Sequence, residues 1–277
     1  MSPGYPIRLG SIGWSHDAWE GGFYPKGLPS LDRLSFYARS FSTVEVQSTR
    51  QGGVPARVFR SWAARVPLGF LFSLRVPDVL AEEILLGRPE ALTGFLEGLS
   101  DLRSRLGPLH LLVTGPVRPA RLPDRLAGFL GILRRLSGGG LRAAIEFRDS
   151  RWIDGEVLAS MRRHRAALVL PDRPGYPDPD RQFANPSWVT GDFTYIRLCG
   201  DPKALRVFEP SGGRLVLDQS WRMSMWADGI LERAERGPVF VFAGNGYAGF
   251  APGTLEGIGR MLGPAEPRRR SGGGVGG

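Results

Sequence analysis

Cysteine is all but missing from this 277-residue chain, where Cys199 stands alone. A single thiol excludes an internal disulfide framework and a cysteine-built zinc site, and it makes a reducing cytoplasm the expected compartment. Histidine is almost as scarce: His16, His110 and His164 are the full set. His16 falls after the first β-prone run, His110 at the start of or inside the fourth, and His164 at the end of an outer helix. They are not expected to meet, which argues against a histidine-rich zinc cluster. No apolar run approaches the roughly 18 residues needed to span a bilayer. The N-terminal Met1-Ser2-Pro3-Gly4-Tyr5-Pro6 lacks the basic start and apolar core of a secretion signal, so neither a membrane partner nor export is expected. A Walker loop, a dinucleotide fingerprint and a Gly-x-Ser-x-Gly elbow are also missing. Nucleoside triphosphate chemistry, nicotinamide chemistry and serine hydrolysis are therefore not indicated, and no cofactor is expected.

Arginine is what the chain has in excess. Lys+Arg total 36 against 27 Asp+Glu, a formal charge of +9, with arginine supplying nearly all of the positive side. Such a balance favours anionic partners, whether nucleic acid, a phosphorylated metabolite or an acidic protein. The plainer reading is compositional, since arginine in place of lysine with abundant glycine and proline is what a GC-rich coding sequence yields. Three of the charges, Arg268-Arg269-Arg270, precede a glycine-rich end. Residues 266–277 are expected to form a disordered tail behind one domain spanning 1–265.

At 42% hydrophobic residues the chain can bury a large core. Its β-prone runs are Ile7 to Gly13, Thr43 to Val46, Phe70 to Arg75, Leu109 to Val113, Arg142 to Phe147, Ala166 to Leu170, Phe193 to Leu198 and Val239 to Ala243. Helix-prone segments lie between most of them: Leu31 to Ser40, Pro55 to Val66, Pro89 to Arg105, Pro123 to Leu136, Gly155 to His164, Ser220 to Arg236 and Thr254 to Leu262. Repeated strand-then-helix units imply a parallel sheet with helices outside. About eight of them in this length imply an α/β fold of the single (β/α)8 TIM-barrel type. An open doubly wound sheet is the alternative arrangement of the same units. Pro171 to Trp188, rich in Pro, Asp and Gly, is expected to be a long irregular sixth connection on the site face.

In a barrel the strand C-termini and the loops after them build the site. The most informative stretch is Ala143 to Trp152, where Glu146 and Arg148 stand two residues apart on one strand face. Strand one delivers Trp14 and His16, strand two Glu45 and Gln47, strand three Arg75, and strand six Asp172 and Arg173. Strand seven gives Arg197 and Cys199, and strand eight leads into Gly244-Asn245. Acids and arginines thus converge on one rim. Glu146 and Glu45 are the candidate acid/base groups, and Arg148, Arg197, Arg75, Trp14, Asn245, Gln47 and Asp172 the candidate substrate contacts. The structural alternative is that each glutamate is neutralised by a neighbouring arginine, Glu146 by Arg148 first of all. No metal is assigned, although Glu45, Glu146 and Asp172 would suit a carboxylate-bound magnesium ion. Cys199 reads as a small buried thiol, and His16 as a hydrogen-bonded loop residue.

Ser11-Ile12-Gly13-Trp14-Ser15 with Trp19 and Phe23-Tyr24-Pro25, Tyr37-Ala38 with Phe41 to Val46, and Trp62 with Pro67, Gly69 and Phe70 together resemble the YecE-like proteins, the domain of unknown function 72. Ile145-Glu146-Phe147-Arg148 with Trp152, Tyr195 to Leu198, and Gly244-Asn245 with Ala251-Pro252 continue the likeness in order, from about Ile7 to about Leu262. The resemblance implies a TIM-type barrel and no established activity. This chain departs from the family pattern at Gln47, Arg50 and Gln51, at Arg75 in place of Lys, at Cys199 in place of His, at Gly244 in place of Asn, and over Leu112 to Gly115. The departures imply a divergent or inactive branch, since a proton-transfer role at the histidine position would not survive replacement by a thiol.

Two functions fit. One is an enzyme acting on a small anionic or phosphate-bearing substrate at the barrel mouth. The other is a non-catalytic binder of nucleic acid or another polyanion around a degenerate site. Nothing in the sequence fixes substrate, reaction or oligomeric state.

Overall fold

The computed structural model describes residues 6–114, 121–205 and 213–263. The expected tail at 266–277 lies outside the described residues. Eight strands alternate with helices: β1 (Ile7–Ser11), α1 (Arg33–Ser40), β2 (Thr43–Val46), α2 (Ala56–Ala64), β3 (Leu71–Leu74), α3 (Asp78–Leu86), α4 (Leu92–Gly98), β4 (Leu109–Val113), α5 (Leu122–Ser137), β5 (Ala143–Phe147), α6 (Gly155–Arg163), β6 (Ala167–Asp172), α7 (Pro179–Ala184), β7 (Thr194–Leu198), α8 (Pro202–Leu205), α9 (Ser220–Ala234), β8 (Val239–Ala243) and α10 (Ala251–Leu262). All strand pairs are parallel. Six strands run continuously in the order β1-β8-β7-β6-β5-β4, and β2-β3 forms a separate pair. Isolated bridges close the ring, Ile12 to Glu45 on one side and Phe72 to Leu106 and Arg75 to His110 on the other. The result is an α/β barrel with two thin seams.

The β1–β2 seam is fastened by side chains as much as by backbone. The Tyr37 hydroxyl from α1 accepts from the Ser11 N–H at 2.7 Å and donates to the Thr43 carbonyl at 3.1 Å. Gly10 permits the approach, because a Cβ there would meet the Thr43 carbonyl oxygen at 2.1 Å.

Outward-facing residues such as Val44, Phe72, Leu111, Ile145 and Ile196 pack under the helices. The alternate positions face the axis, where Ala144, Ala167, Val169, Phe193, Tyr195, Phe240 and Phe242 form a second apolar cluster. That cluster fills the lower barrel, and polar residues take over towards the strand C-termini. This is the period-two alternation of a closed barrel.

Two expectations need correction. The sixth connection is not irregular throughout, since α7 and a short 3-10 turn at Pro186–Trp188 occupy it. Strand β6 also runs on to Asp172 through Pro171. Proline is tolerated there because β5 pairing has ended at Leu168, and Pro171 pairs only on the β7 side, opposite Arg197. A helix at Asp78–Leu86 was not anticipated either. Pro77 precedes it as N-cap, and its apolar Leu80-Ala81 and Ile84-Leu85-Leu86 runs give a weak amphipathic signal.

Candidate functional site

Glu45 on β2 and Glu146 on β5 both point inward at the C-terminal end of the barrel, and both are fully buried. Arg197 on β7 lies between them. Its Nε and Nη2 donate to the two Glu45 oxygens, each at 2.9 Å, and its Nη1 donates to Glu146 Oε2 at 2.5 Å. The planar fork satisfies one carboxylate bidentately while reaching the other. The Tyr195 hydroxyl donates to Glu45 Oε2 at 2.7 Å and meets Ser73 Oγ at 2.8 Å. Above Glu45, Gln47 Nε2 donates to Oε1 at 2.5 Å, and Arg75 Nη1 reaches the Gln47 carbonyl oxygen at 3.4 Å.

His110 on β4 completes the cluster. Its Nε2 lies 3.0 Å from Glu146 Oε2 and its Nδ1 lies 3.7 Å from Glu45 Oε2, and the imidazole stacks on the Tyr195 ring. Arg173, just past β6, approaches Glu146 Oε1 at 3.3 Å and anchors itself on the Phe147 and Arg148 carbonyls at 2.6 and 3.0 Å. Four buried polar atoms here have no hydrogen-bond partner: Glu146 Oε1, His110 Nδ1, Arg75 Nε and Arg173 Nε.

The electrostatics follow from this packing. Burial alone would raise the Glu146 carboxyl, but Arg197, then His110 and Arg173, hold it far below the ordinary glutamate range. Glu45 is likewise lowered, with Arg197 and His110 outweighing burial. Arg197 is held charged beyond the ordinary arginine range, because the Cys199 sulfur and the two carboxylates outweigh desolvation. Burial pushes the Cys199 thiol up to about 11 despite Arg197 beside it. Both glutamates are therefore anionic near neutral pH, fitted to accept protons or to hold arginines rather than to donate protons.

The sequence matches the family described as "Protein of unknown function DUF72" over residues 8–272. The chain belongs to the DUF72 family. No curated protein matches it. A DUF72 family protein from Enterococcus faecalis has a solved structure similar to this one, at 21% identity and a TM-score of 0.66, covering 96% of this chain and 100% of the other. One from Thermotoga maritima is similar at 21% identity and 0.65, covering 92% and 98%. D-psicose 3-epimerase from Clostridium cellulolyticum, solved with D-tagatose, is similar at 8% identity and 0.52, covering 92% and 95%. At these identities the likeness is one of fold.

This DUF72 barrel brings Glu45, Glu146, Arg197, Arg75 and Gln47 together, and it commits other candidates elsewhere. Glu146 pairs with Arg197 and Arg173 rather than with Arg148, which is exposed beyond the strand end and has no ion pair among the described residues. Asp172 has the parity of the outer face. Arg222 Nε on α9 donates to both its oxygens at 2.7 and 2.9 Å, and the Trp226 indole donates at 2.5 Å, so it locks a helix to the sheet. The carboxylate trio considered for magnesium is thereby split. Among the described residues no group of three or more His, Cys, Asp or Glu side chains is placed to hold a metal ion. Asn245 Oδ1 accepts from the Trp19 indole and the Ala251 N–H, each at 3.0 Å, pinning the first loop to α10. Trp14 packs edge-on against Trp62 and Phe72, outside the barrel axis. His16 accepts its expected loop role, with Nε2 3.2 Å from the Ile12 carbonyl.

Sequence reasoning missed His110, Tyr195 and Ser73, and it set aside Arg173. The signal was present in the alternation: His110 is the polar residue in Leu109-His110-Leu111-Leu112-Val113, and one strand position decides between core and site. Among the described residues, no helix is long and apolar enough to cross a membrane.

Proposed function

We propose that the mouth of the barrel binds a small anionic or phosphate-bearing substrate and acts on it by acid/base chemistry. Arg75, Arg173 and Arg197 are the anion anchors, and Glu146 with His110 is the proton-transfer pair. The observation that carries this reading is the buried Glu45–Arg197–Glu146–His110 network at the strand C-termini. Desolvating such ions costs several kcal/mol each, and apolar residues would fill the same space at least as stably. Barrel enzymes place their chemistry at this end. Glu146 Oε1, His110 Nδ1, Arg75 Nε and Arg173 Nε, which have charged neighbours in part but no hydrogen-bond partner, are the groups a bound polar ligand would satisfy.

In this reading Glu45 holds Arg197 in a fixed plane, and the Glu146 carboxylate orients the His110 ring through Nε2, leaving Nδ1 as the exchangeable position. Arg148 contributes from the rim. The second reading, a non-catalytic polyanion binder, draws on the complete burial of Glu45, Glu146 and His110, while Arg148 is exposed and Arg173 half-buried at the rim.

Thermal melting and turnover separate the two. Inorganic phosphate well above its dissociation constant should raise the melting temperature of the wild type. Arg173→Ala should blunt that response, and Arg148→Ala should blunt it less. Turnover against a panel of phosphorylated and carboxylated small molecules should vanish in Glu146→Gln. Equal phosphate responses in wild type and Arg173→Ala would remove the anchor, and turnover indifferent to Glu146→Gln would remove the chemistry.

A further inference from the structure

The opposite end of the barrel carries a second concentration of positive charge that the mouth does not use. A cleft of about 360 Å3 opens where the end of α5, the foot of β5 and the turn after α6 meet, and Arg134, Arg142, Arg163, His164, Arg165 and Asp192 line it. Four arginines and one aspartate thus line it, and of the four only Arg142 comes within ion-pair distance of Asp192, at 3.8 Å. The crowding registers on its neighbours. Burial, then Arg163 and Arg134, disfavours the charged form of His164, and burial with Arg142 does the same to Arg8. Arg134 and Arg163 stand in the last turns of α5 and α6, where a cation offsets the helix dipole. That accounts for those two, and Arg142 has Asp192 and the Phe193 ring, 5.6 Å from its guanidinium carbon, so Arg165 is the remaining cation, with no ion pair among the described residues.

Arg165 has φ 55°, the one positive φ among the described non-glycine residues. It occupies the left-handed position after α6, its N–H bonded to the Arg162 carbonyl at 3.1 Å, while the Ala166 N–H returns to the Met161 carbonyl at 3.0 Å. Glycine takes that position freely, whereas a long side chain takes it at a steric cost. A strained arginine at a cleft lined by four arginines against one carboxylate is the kind of feature that accompanies binding.

We propose that this cleft binds a small molecule carrying two or more linked phosphoryl groups, with Arg142 and Arg165 as its principal contacts. The volume lies within the range of small-ligand pockets. Guanidinium forks engage phosphoryl oxygens in pairs, and the surplus of positive charge matches a multiply charged anion.

The experiment is calorimetric titration of the full chain with inorganic pyrophosphate at about 150 mM salt, where weak surface attraction is screened. The wild type should bind, and Arg142→Ala and Arg165→Gly should each weaken binding by about tenfold or more. Arg165→Gly relieves the backbone, so its melting temperature should match or exceed that of the wild type. Lost binding then cannot be blamed on lost folding. Arg173→Ala at the mouth should keep this binding, which separates the two ends of the barrel. Absence of binding to the wild type, undiminished binding to Arg165→Gly and Arg142→Ala, or binding confined to long polyanions would overturn the proposal.

Discussion

Replacing Arg197 by methionine removes the guanidinium that both inward glutamates share while keeping a side chain of similar length. Glu45 is then left with the Tyr195 hydroxyl, the Gln47 amide and His110 at 3.7 Å, and Glu146 with His110 and Arg173. Breaking a buried pair in this way costs about 3–5 kcal/mol, a large share of the roughly 5–15 kcal/mol that holds a domain folded. The pH dependence should reverse as well. In the wild type both carboxyls lie below their unfolded values, so their stabilisation is fully present above about pH 4.3 and is lost as pH falls towards the folded values. In Arg197→Met burial dominates at Glu45, the native state binds the extra proton, and stability rises as pH falls from 7. The slope approaches about 1.4 kcal/mol per pH unit for one proton. Urea unfolding at pH 5, 6 and 7 reads both slopes. Parallel profiles for wild type and variant would refute the claim that Arg197 is what keeps these glutamates ionised.

Asp172→Asn should cost about 2–3 kcal/mol in the same assay, because the Arg222 Nε–H and the Trp226 indole lose a charged acceptor that is itself nearly buried. A loss under about 0.5 kcal/mol would make the β6–α9 lock unimportant. Cys199, with its thiol pushed up to about 11, should react slowly with iodoacetamide at pH 8 and about tenfold faster per pH unit up to pH 10. A flat rate across that range would contradict the burial argument.

The barrel was legible because its strands are short, β-rich and spaced by helices, and β2, β4 and β8 fall at the residues the pattern gives. Glu45, Glu146 and Arg197 were legible because inward parity and strand ends select them. Arg148 misled for a physical reason: it shares the parity of Glu146, but the strand ends at Phe147 and its side chain leaves the axis. Asp172 misled because β6 runs two residues past Leu170, which puts an acid with outer-face parity at the rim. His110 was missed because a histidine flanked by leucines looks like core: register pairs it with Ala144, and only its inward side chain, reaching up the barrel, meets Glu146. Contacts between residues over a hundred positions apart, such as Glu45 with Tyr195, leave no local trace.

The two thin seams give the buried network a mechanical meaning. The β2–β3 arc joins the other six strands through isolated bridges, yet Glu45 reaches from that arc across the lumen to grip Arg197 and Tyr195 on β7. The same carboxylate is thus a clasp that keeps the ring shut. Amides on β2 and β3 should therefore exchange with solvent ahead of those in the six-strand sheet, and anything that tightens the arginine–glutamate grip should slow that exchange.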